Sequence, residues 1–273
     1  MLYWRHTDVA VGDITAAFGF HDQAGLLTAI GPVASGVPCE DCRVELPAGN
    51  RRRLSELLVR LGRLPAGVLG EVIFVDDSDD DTPAAIAYLA GSVDFDVAVV
   101  HREPGMRSGG LSGAVVDGFR RARGEWLGVM DGDLQHPPEV LADLFAAGTS
   151  AGVDLVCATR NTGGGDGRAG LSAARDVISK SFTACARRAF PRRLRGVTDP
   201  MSGFFLLRRA ALDLETLHPT GFKILLEILV RTPGLRRTEV GYEFATRHAG
   251  DSKASVREGM TYLRHLAKLR LAA

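Results

Sequence analysis

Two aspartates lie one residue apart in the stretch VMDGDLQHPP, residues 129–138, directly after an apolar run. Gly132 between them permits the unusual dihedral angles of a tight turn. The carboxylates of Asp131 and Asp133 can therefore converge on one hard divalent cation, to which Gln135 could add another oxygen. Such a cation could neutralise a diphosphate leaving group. The simpler interpretation is a solvated turn in which an aspartate starts the next helix.

A second acidic turn ends the apolar run of EVIFVDDSDDDT, residues 71–82, where Asp76 and Asp77 come directly after the run. Receiver domains also place paired acids at a strand end, but they need a later lysine, and none of the four lysines is suitably placed. Phosphatases of the haloacid type need Asp-x-Asp-x-Thr, whereas Thr82 has Ser78 at the first required position. Two acidic turns after two apolar runs therefore favour a cation site over a solvated turn.

Composition predicts a globular protein: 45% of the 273 residues are hydrophobic and 24% are charged, enough for a full core. The uncharged stretch 24–38 is too short and too broken by Gly and Pro to cross a bilayer, which needs about 20 apolar residues. The N-terminus carries acids where a secretion signal has an apolar core, so no signal is expected. Net charge is zero, yet residues 160–198 hold nine Arg and Lys against two acids. This separation suits a cation on one side and phosphates on the other, and no nucleic acid partner is expected.

From residue 71 onward, short β-branched runs alternate with longer helical patterns. Four nearly continuous apolar runs predict strands covered on both faces, at residues 71–75, 96–100, 126–130 and 153–158. After residue 160 the pattern predicts a basic helix, a strand, a helix and a further strand. Strands alternating with helices indicate an α/β fold with a Rossmann-like, mostly parallel sheet flanked by helices. Ligands of such sheets bind beyond the carboxyl ends of the strands, where both acidic turns fall.

The two ends of the chain follow other patterns. Residues 1–43 are rich in Gly and Pro without a clear period, which predicts a loosely ordered extension. Cys39 and Cys42 form a lone C-x-x-C, which favours two reduced thiols over a zinc site. Residues 254–273 place leucines at helical spacing among basic residues, which predicts a basic amphipathic helix. This helix either lies on an anionic membrane surface or packs on the domain.

Five motifs in order resemble those of the family 2, GT-A-type glycosyltransferases, and most of all the dolichyl- or polyprenyl-phosphate mannosyltransferases: EVIFVDDSDDDT, GLSGAVVDGFRRARGEWLGVMDGDLQHPPE, DPMSGFFLLRR, GFKILLEIL and RHAGDSK. The resemblance implies a GT-A domain over residues 44–253, a sugar nucleotide donor, Mg²⁺ or Mn²⁺, and a lipid phosphate acceptor. The implied reaction is the transfer of a hexose, mannose from GDP-mannose, to a polyprenyl or dolichyl phosphate.

The resemblance also assigns roles position by position. Asp131 and Asp133 match the metal-binding acids, with Gln135 as a further ligand, and Asp76 with Asp77 matches the acidic turn that contacts the nucleoside. The remaining matches to substrate-binding positions are Arg160, Arg175, Ser179, Arg247 and Lys253. The first three of these cradle phosphate, and the last two belong to a late basic loop that closes over the site.

Asp199, in TDPMSGFF, matches an acid near the sugar or the acceptor. A lipid phosphate is already an anion near neutral pH, so its oxygen can attack the anomeric carbon without a base. We therefore assign Asp199 a positioning role, and direct attack would invert the anomeric centre. Asp133, Asp199 and Arg247 form the expected catalytic set.

The sequence departs from the family pattern at its start. The family usually opens with an apolar strand that ends in Pro-x-Tyr-Asn-Glu, whereas RVELPAGNRRRL keeps Pro47 and Asn50 but has Arg51 where the acid should be. One alternative is therefore an inactive nucleotide-binding relative, and another is a UDP-glucose-dependent polyprenyl-phosphate glucosyltransferase. We expect a cytoplasmic protein, peripheral at the inner face of the cell membrane, which reaches its acceptor through the C-terminal helix or a separate membrane-protein partner.

Overall fold

The computed structural model describes the backbone of residues 14–20, 51–132, 134–150, 152–160, 173–221, 223–243 and 256–272. Side chains are described for residues 53–132, 134–150, 152–160, 180–221, 223–243 and 259–271. The strands in these segments are β1 Ile14–Phe20, β2 Leu69–Asp76, β3 Asp96–His101, β4 Trp126–Asp131, β5 Leu155–Thr159, β6 Phe205–Arg208 and β7 Arg237–Gly241. The helices are α1 Arg51–Leu61, α2 Thr82–Ala90, α3 Gly110–Arg121, α4 Val140–Thr149, α5 Ala173–Ala189, α6 Ile224–Arg231 and α7 Val256–Ala272.

The strands form one sheet in the order β3-β2-β1-β4-β6-β5-β7. All its described pairings are parallel except those of β6, which runs antiparallel to β4 and β5. The α/β fold with a mostly parallel sheet is thus confirmed. Because β6 is reversed, the segment that leads into it lies at the edge where the parallel strands end. This reversal brings a further segment to the edge that holds the acidic turns.

Strand β1 corrects the prediction for the N-terminal residues. We expected residues 1–43 to be an extension outside the domain, yet β1 lies within that range and pairs with both β2 and β4 in the middle of the sheet. Small residues such as Ala16, Ala17 and Gly19 have low strand propensity. Pairing with two neighbours decides the structure here, and the local sequence pattern does not show it. Residues 21–50, which include the Pro47 and Asn50 motif, lie outside the described residues.

Helices cover both faces of the sheet, so the strands are apolar on both sides. Along β2, Ile73 and Val75 belong to one core cluster, and Val72 and Phe74 belong to the other. The first cluster includes residues of α3, α5, α6 and α7, and the second includes residues of α1, α2 and α4. This two-sided burial explains why the strand runs lack a polar alternation. The sheet is therefore a rigid base for the loops at the carboxyl ends of its strands.

Helix α7 has one buried face and one exposed face. Tyr262, Leu266 and Leu269 belong to the core, and the Tyr262 hydroxyl donates a 2.7 Å hydrogen bond to the carbonyl of Phe182 on α5. Leu263, beside the buried face, is 50% exposed. The predicted amphipathic helix is therefore confirmed, and it packs on the domain. Among the described helices, none has both the length and the apolar character to span a membrane.

Candidate functional site

The two acidic turns meet at the carboxyl edge of the sheet. Asp76 closes β2 in register with Phe20, and Asp131 closes β4 in register with Gly19, so the two acids flank the end of β1. Neighbouring strands lie about 4.8 Å apart, which separates β2 from β4 by about 10 Å. Strand β5 ends at the same edge, where Arg160 follows its last residue. The prediction that both acidic turns lie beyond the carboxyl ends of the strands is confirmed for Asp76 and Asp131.

The turn after β4 has an unusual backbone. Leu134 has a positive φ of 61°, a conformation that is rare for a leucine, yet its side chain is buried and packs in the core. Burial of the side chain therefore holds the turn in a strained conformation, as is common at functional sites. Next to it, Gln135 is 7% exposed. His136 is also buried, with its ring 5.3 Å from that of Phe204.

Asp131 fits a hard divalent cation by its chemistry and its exposure. Its side chain is 42% exposed, and its Oδ2 lies 3.8 Å from Nδ1 of His136. A Cβ at Gly203 would lie 3.1 Å from that same Oδ2, so the glycine leaves space beside the carboxylate. Asp133 lies outside the described residues, and the described side chains include no group of three or more His, Cys, Asp or Glu placed to hold a metal. Asp131 and Gln135 offer the oxygen ligands that Mg²⁺ and Mn²⁺ prefer.

Asp77 is locked by a buried guanidinium. Arg102 donates to both oxygens of Asp77, from Nε at 2.7 Å and from Nη2 at 2.6 Å. The same guanidinium reaches Asp117 at 3.2 Å and the carbonyls of Ser108 and Gly110, while its side chain is only 4% exposed. Burial acts to lower the pKa of Arg102, but its bonds to Asp77 and Asp117 outweigh this effect and raise that pKa. Arg102 therefore stays charged and ties β2 to α3.

Asp76 has different partners from its neighbour. Its Oδ2 receives a hydrogen bond from the Ser78 hydroxyl at 3.0 Å and lies 2.7 Å from Nδ1 of His101. Register explains the second contact, because Asp76 and His101 are paired residues of parallel strands β2 and β3. The Asp76 side chain is fully buried, whereas that of His101 is 31% exposed. Both contacts of the Asp76 carboxylate are thus made to the same oxygen, Oδ2.

Arg160 and Asp199 form an ion pair at the same edge. Arg160 donates to Oδ2 of Asp199 from Nε at 3.1 Å and from Nη2 at 2.8 Å. Burial acts to lower the pKa of Arg160, but the charge of Asp199 and these bonds outweigh this effect and raise it. Asp199 is 3% exposed, while the Arg160 side chain is 20% exposed. A guanidinium that is always charged and partly open to solvent is suited to binding phosphate.

Several contacts fix the loop that carries Asp199. The backbone N–H of Met201 donates to Oδ1 of Asp199 at 3.3 Å, and Lys223 donates to the Met201 carbonyl at 3.2 Å. Glu239 on β7 accepts the backbone N–H of Thr198 at 2.6 Å. The Ser202 hydroxyl donates to the Ala158 carbonyl at 2.8 Å. The loop is therefore anchored to β5, to β7 and to the residue that precedes α6, which makes Asp199 a rigid partner for Arg160.

The structure leaves part of the predicted site untested. Arg247 and Lys253 lie outside the described residues, as does Asp133. Arg175 and Ser179 lie on α5, but their side chains are outside the described part. Their predicted roles stay predictions. The described residues that meet at the edge are Asp76, Asp77, Asp131, Gln135, Arg160 and Asp199.

His101 and Arg102 were missed by the sequence reasoning. His101 ends β3 and Arg102 follows it, as Asp76 ends β2 and Asp77 follows it, so a basic pair faces an acidic pair across parallel strands. The signal was present in the sequence, because a histidine and an arginine come directly after the apolar run 96–100. The register of the two strands was needed to interpret it.

Comparisons with known proteins agree with this architecture. A model of the family described as Glycosyl transferase family 2 matches residues 54–214. A protein of Pyrococcus furiosus named dolichol-phosphate mannosyltransferase is 37% identical over 227 residues, which are 83% of this chain and 62% of that relative. Proteins of the same name from Mycosarcoma maydis and Saccharomyces cerevisiae are 34% and 35% identical, and each match covers 73% of this chain. These matches cover 66% and 74% of the two relatives, so the chain spans less than two thirds of the Pyrococcus and Mycosarcoma proteins.

Solved structures show the same fold. Glucosyl-3-phosphoglycerate synthase from Mycobacterium tuberculosis, in complex with Mn²⁺ and UDP-glucose, matches with a TM-score of 0.58 at 17% identity, over 95% of this chain and 78% of that chain. A mycobacterial protein matches with a TM-score of 0.61 at 16% identity, over 99% of this chain and 80% of the other. Identities this low show the fold alone, and the GT-A fold is confirmed.

Proposed function

The chain belongs to glycosyl transferase family 2, and we propose that it transfers mannose from GDP-mannose to a polyprenyl or dolichyl phosphate. One observation carries the proposal: the carboxylates of Asp76 and Asp131 and the Arg160–Asp199 pair meet at one edge of the sheet. Carboxylates suit a nucleoside and a cation, and a guanidinium suits a diphosphate. The names of the three relatives support mannose as the sugar and dolichol phosphate as the acceptor.

In this proposal Asp131, Asp133 and Gln135 hold Mg²⁺ or Mn²⁺. When bound, the ion would offset the negative charge of the departing nucleoside diphosphate. The oxygen ligands of Asp131 and Gln135 support this assignment, as does the Mn²⁺ in the complex of the Mycobacterium tuberculosis neighbour. Gly203 supports it further, since a side chain there would crowd the Asp131 carboxylate.

The remaining residues bind and orient the two substrates. Arg160, with Arg175 and Ser179, would hold the diphosphate, while Arg247 and Lys253 would close over it. Asp199 is already bonded to Arg160 and so sets the direction of that guanidinium. The acceptor phosphate is an anion that needs no base, and its attack on the face opposite the leaving group would invert the anomeric carbon.

A lipid acceptor requires that the protein reach a membrane surface. The exposed face of α7 supports such contact, because it combines large apolar residues with basic ones. Its exposed members are Met260, Leu263, Arg264, Lys268, Arg270 and Leu271. Basic residues near anionic lipid contribute about 1 kcal/mol each. We place the working protein at the inner face of the cell membrane on this basis, with a separate membrane-protein partner as a second means of attachment.

Radiolabel transfer tests the function. The protein is incubated with Mn²⁺ or Mg²⁺, a short polyprenyl phosphate, and either labelled GDP-mannose or labelled UDP-glucose. We expect label in the lipid fraction with GDP-mannose and a divalent ion, loss of transfer with EDTA, and a β-linked product from the α-linked donor. An α-linked product would contradict inversion at the anomeric carbon. Transfer of label from UDP-glucose but not from GDP-mannose would contradict mannose as the donor sugar.

Variants of Asp131 and Asp133 test whether the transfer activity depends on the proposed metal site. Asp131→Asn and Asp133→Ala are each expected to lower transfer at least about a hundredfold, as loss of one electrostatic group commonly does. Glu56→Gln, at an exposed position of α1, is the matched control and should leave transfer unchanged. Transfer that survives Asp133→Ala would make the metal assignment wrong. A wild-type protein that binds neither GDP nor UDP in the presence of Mn²⁺ would make the proposed activity wrong.

A further inference from the structure

The two acids at the end of β2, Asp76 and Asp77, are not equivalent. Both oxygens of Asp77 accept from the buried guanidinium of Arg102, which also offsets its charge. Among the described side chains, the Asp76 carboxylate has hydrogen bonds only with the Ser78 hydroxyl and the His101 imidazole, and both reach Oδ2. Its Oδ1 is buried and has no hydrogen-bond partner among the described residues. A buried carboxylate oxygen without a partner is costly, which points to a ligand that supplies the missing donor.

We propose that His101 is a positioning residue for the donor nucleotide: together with Ser78 it holds Oδ2 of Asp76, so that Oδ1 accepts an N–H from the nucleobase. The inference rests on the proposed function, which supplies the nucleotide. It adds to that function by giving Asp76 and Asp77 different roles. Asp76 is the residue that faces the ligand, while Asp77 fastens β2 to α3 through Arg102.

The chemistry of a carboxylate limits which bases fit. An ionised carboxylate only accepts hydrogen bonds, so its partner must present an N–H. Guanine and uracil carry a ring N–H beside a carbonyl, whereas adenine and cytosine have a bare ring nitrogen at the corresponding position. The ring nitrogen of the latter two would repel Oδ1. Adenine and cytosine offer N–H only from an exocyclic amino group beside that ring nitrogen, so the Asp76 carboxylate favours guanine or uracil nucleotides over them.

His101 is suited to this role by its place in the fold. Its Nδ1 must carry the hydrogen for the 2.7 Å contact with Asp76, while Nε2 lies on the other side, 4.0 Å from Oε1 of Glu103. Because β3 is an edge strand and the His101 side chain is 31% exposed, substitutions at residue 101 leave the core unchanged. Asparagine can place its amide nitrogen where Nδ1 lies, and valine cannot donate.

The test compares His101→Val with His101→Asn by calorimetry in the presence of Mn²⁺. The ligands are GDP and inorganic pyrophosphate, which lacks a base. We expect His101→Val to weaken GDP binding about tenfold or more, the effect of losing one hydrogen bond to a charged group. Pyrophosphate binding should stay at the wild-type value, and His101→Asn should restore most of the GDP affinity. Equal losses for GDP and pyrophosphate, or no loss for either, would overturn the inference.

Two further measurements separate this inference from the proposed function. If the wild-type protein binds neither GDP nor UDP, the proposed function fails and the role of His101 fails with it. If wild type binds GDP and His101→Val binds it equally well, only the role of His101 is wrong. ADP that binds wild type as tightly as GDP and UDP would contradict the N–H contact to Asp76. Ser78→Ala removes the other donor to Oδ2 and should show the same selective loss of GDP affinity if His101→Val does not fold.

Discussion

Arg160 gives two hydrogen bonds, at 3.1 and 2.8 Å, to a single oxygen of Asp199, its Oδ2. The other oxygen, Oδ1, accepts the backbone N–H of Met201. The aspartate therefore holds the guanidinium of Arg160 from a fixed loop. We propose that Asp199, in this arrangement, is a positioning residue that works through Arg160.

A double-mutant cycle tests this relationship. Arg160→Ala, Asp199→Asn and the double variant are compared for their affinity for GDP in the presence of Mn²⁺, measured by calorimetry. Because Asp199 acts through Arg160, the loss caused by Asp199→Asn should disappear in the Arg160→Ala background, with a coupling of about 1 to 3 kcal/mol. Additive losses would show that Asp199 acts on the substrates directly. Near-ultraviolet circular dichroism confirms that each variant is folded.

The Arg102–Asp77 pair is expected to stabilise the fold more than any exposed ion pair. Arg102→Ala leaves a buried carboxylate without its cation, which should lower the free energy of unfolding by about 3 to 5 kcal/mol. Urea denaturation followed by circular dichroism measures the change. Arg120→Ala is the matched control, because Arg120 also contacts Asp117 but its side chain is 52% exposed.

The control variant should cost no more than about 1 kcal/mol, the usual limit for an exposed pair. A cost for Arg102→Ala as small as that for Arg120→Ala would show that Asp77 finds another partner or becomes protonated. The comparison therefore distinguishes a structural latch between β2 and α3 from an incidental contact.

Much of this architecture was predictable from the sequence. The runs that end at Val75, Val100 and Met130 all lie in strands, because continuous apolar segments of that length suit a sheet covered on both faces. The acidic turns were placed correctly for the same reason, since they come directly after those runs. Helix α7 was found from its leucine spacing.

The rest depends on long-range contacts that local patterns do not encode. Strand β1 was missed because its alanines and glycine are poor strand formers, and its two neighbours decide its structure. The reversal of β6 was also invisible, since an apolar run carries no direction, and this reversal brings Asp199 to Arg160. The strained backbone of Leu134 follows from burial of its side chain, which the turn motif alone does not show.

Acid should weaken the junction between β5 and β7. Hydrogen bonds from Arg236, at 2.8 Å from Nε and 2.7 Å from Nη2, lower the pKa of Asp154 below its ordinary value of 3.8. In the unfolded chain this carboxyl keeps its ordinary pKa, so the pair stabilises the fold above that pH. Its contribution is lost as the pH falls from about 5 through the lowered pKa.

Asp154→Asn should therefore cost about 1 kcal/mol at pH 7, because the Arg236 side chain is 62% exposed, and less as the solution becomes more acidic. Urea denaturation at pH 7, 5, 4 and 3 measures the difference between wild type and variant. Asp94→Asn, at an exposed position, is the matched control and should give the same small difference at each pH. A cost of Asp154→Asn that does not change with pH would contradict the role of the ion pair.

The exposed face of α7 should bind anionic vesicles. Arg264 and Lys268 lie on that face beside Leu263, whereas Leu269 on the opposite face is 1% exposed. Replacing both basic residues by glutamine should reduce partition onto phosphatidylglycerol vesicles about thirtyfold, from about 1 kcal/mol for each charge. Sedimentation of vesicles with bound protein measures the partition, and vesicles of phosphatidylcholine alone should show no such difference.

Measurements of the free energy of unfolding show whether a change in vesicle binding comes from the exposed face of α7 or from loss of the fold. The double variant should unfold within about 0.5 kcal/mol of wild type, because both side chains are exposed. Leu269→Ala should instead cost about 2 to 5 kcal/mol, since it opens a cavity where α7 packs on the domain. Val59→Ser, at an exposed apolar position of α1, should change neither quantity appreciably. If wild type binds neutral and anionic vesicles equally, the basic residues do not attach the protein. If it binds neither, α7 does not attach the protein, and the proposed lipid acceptor would have to be reached through a membrane-protein partner.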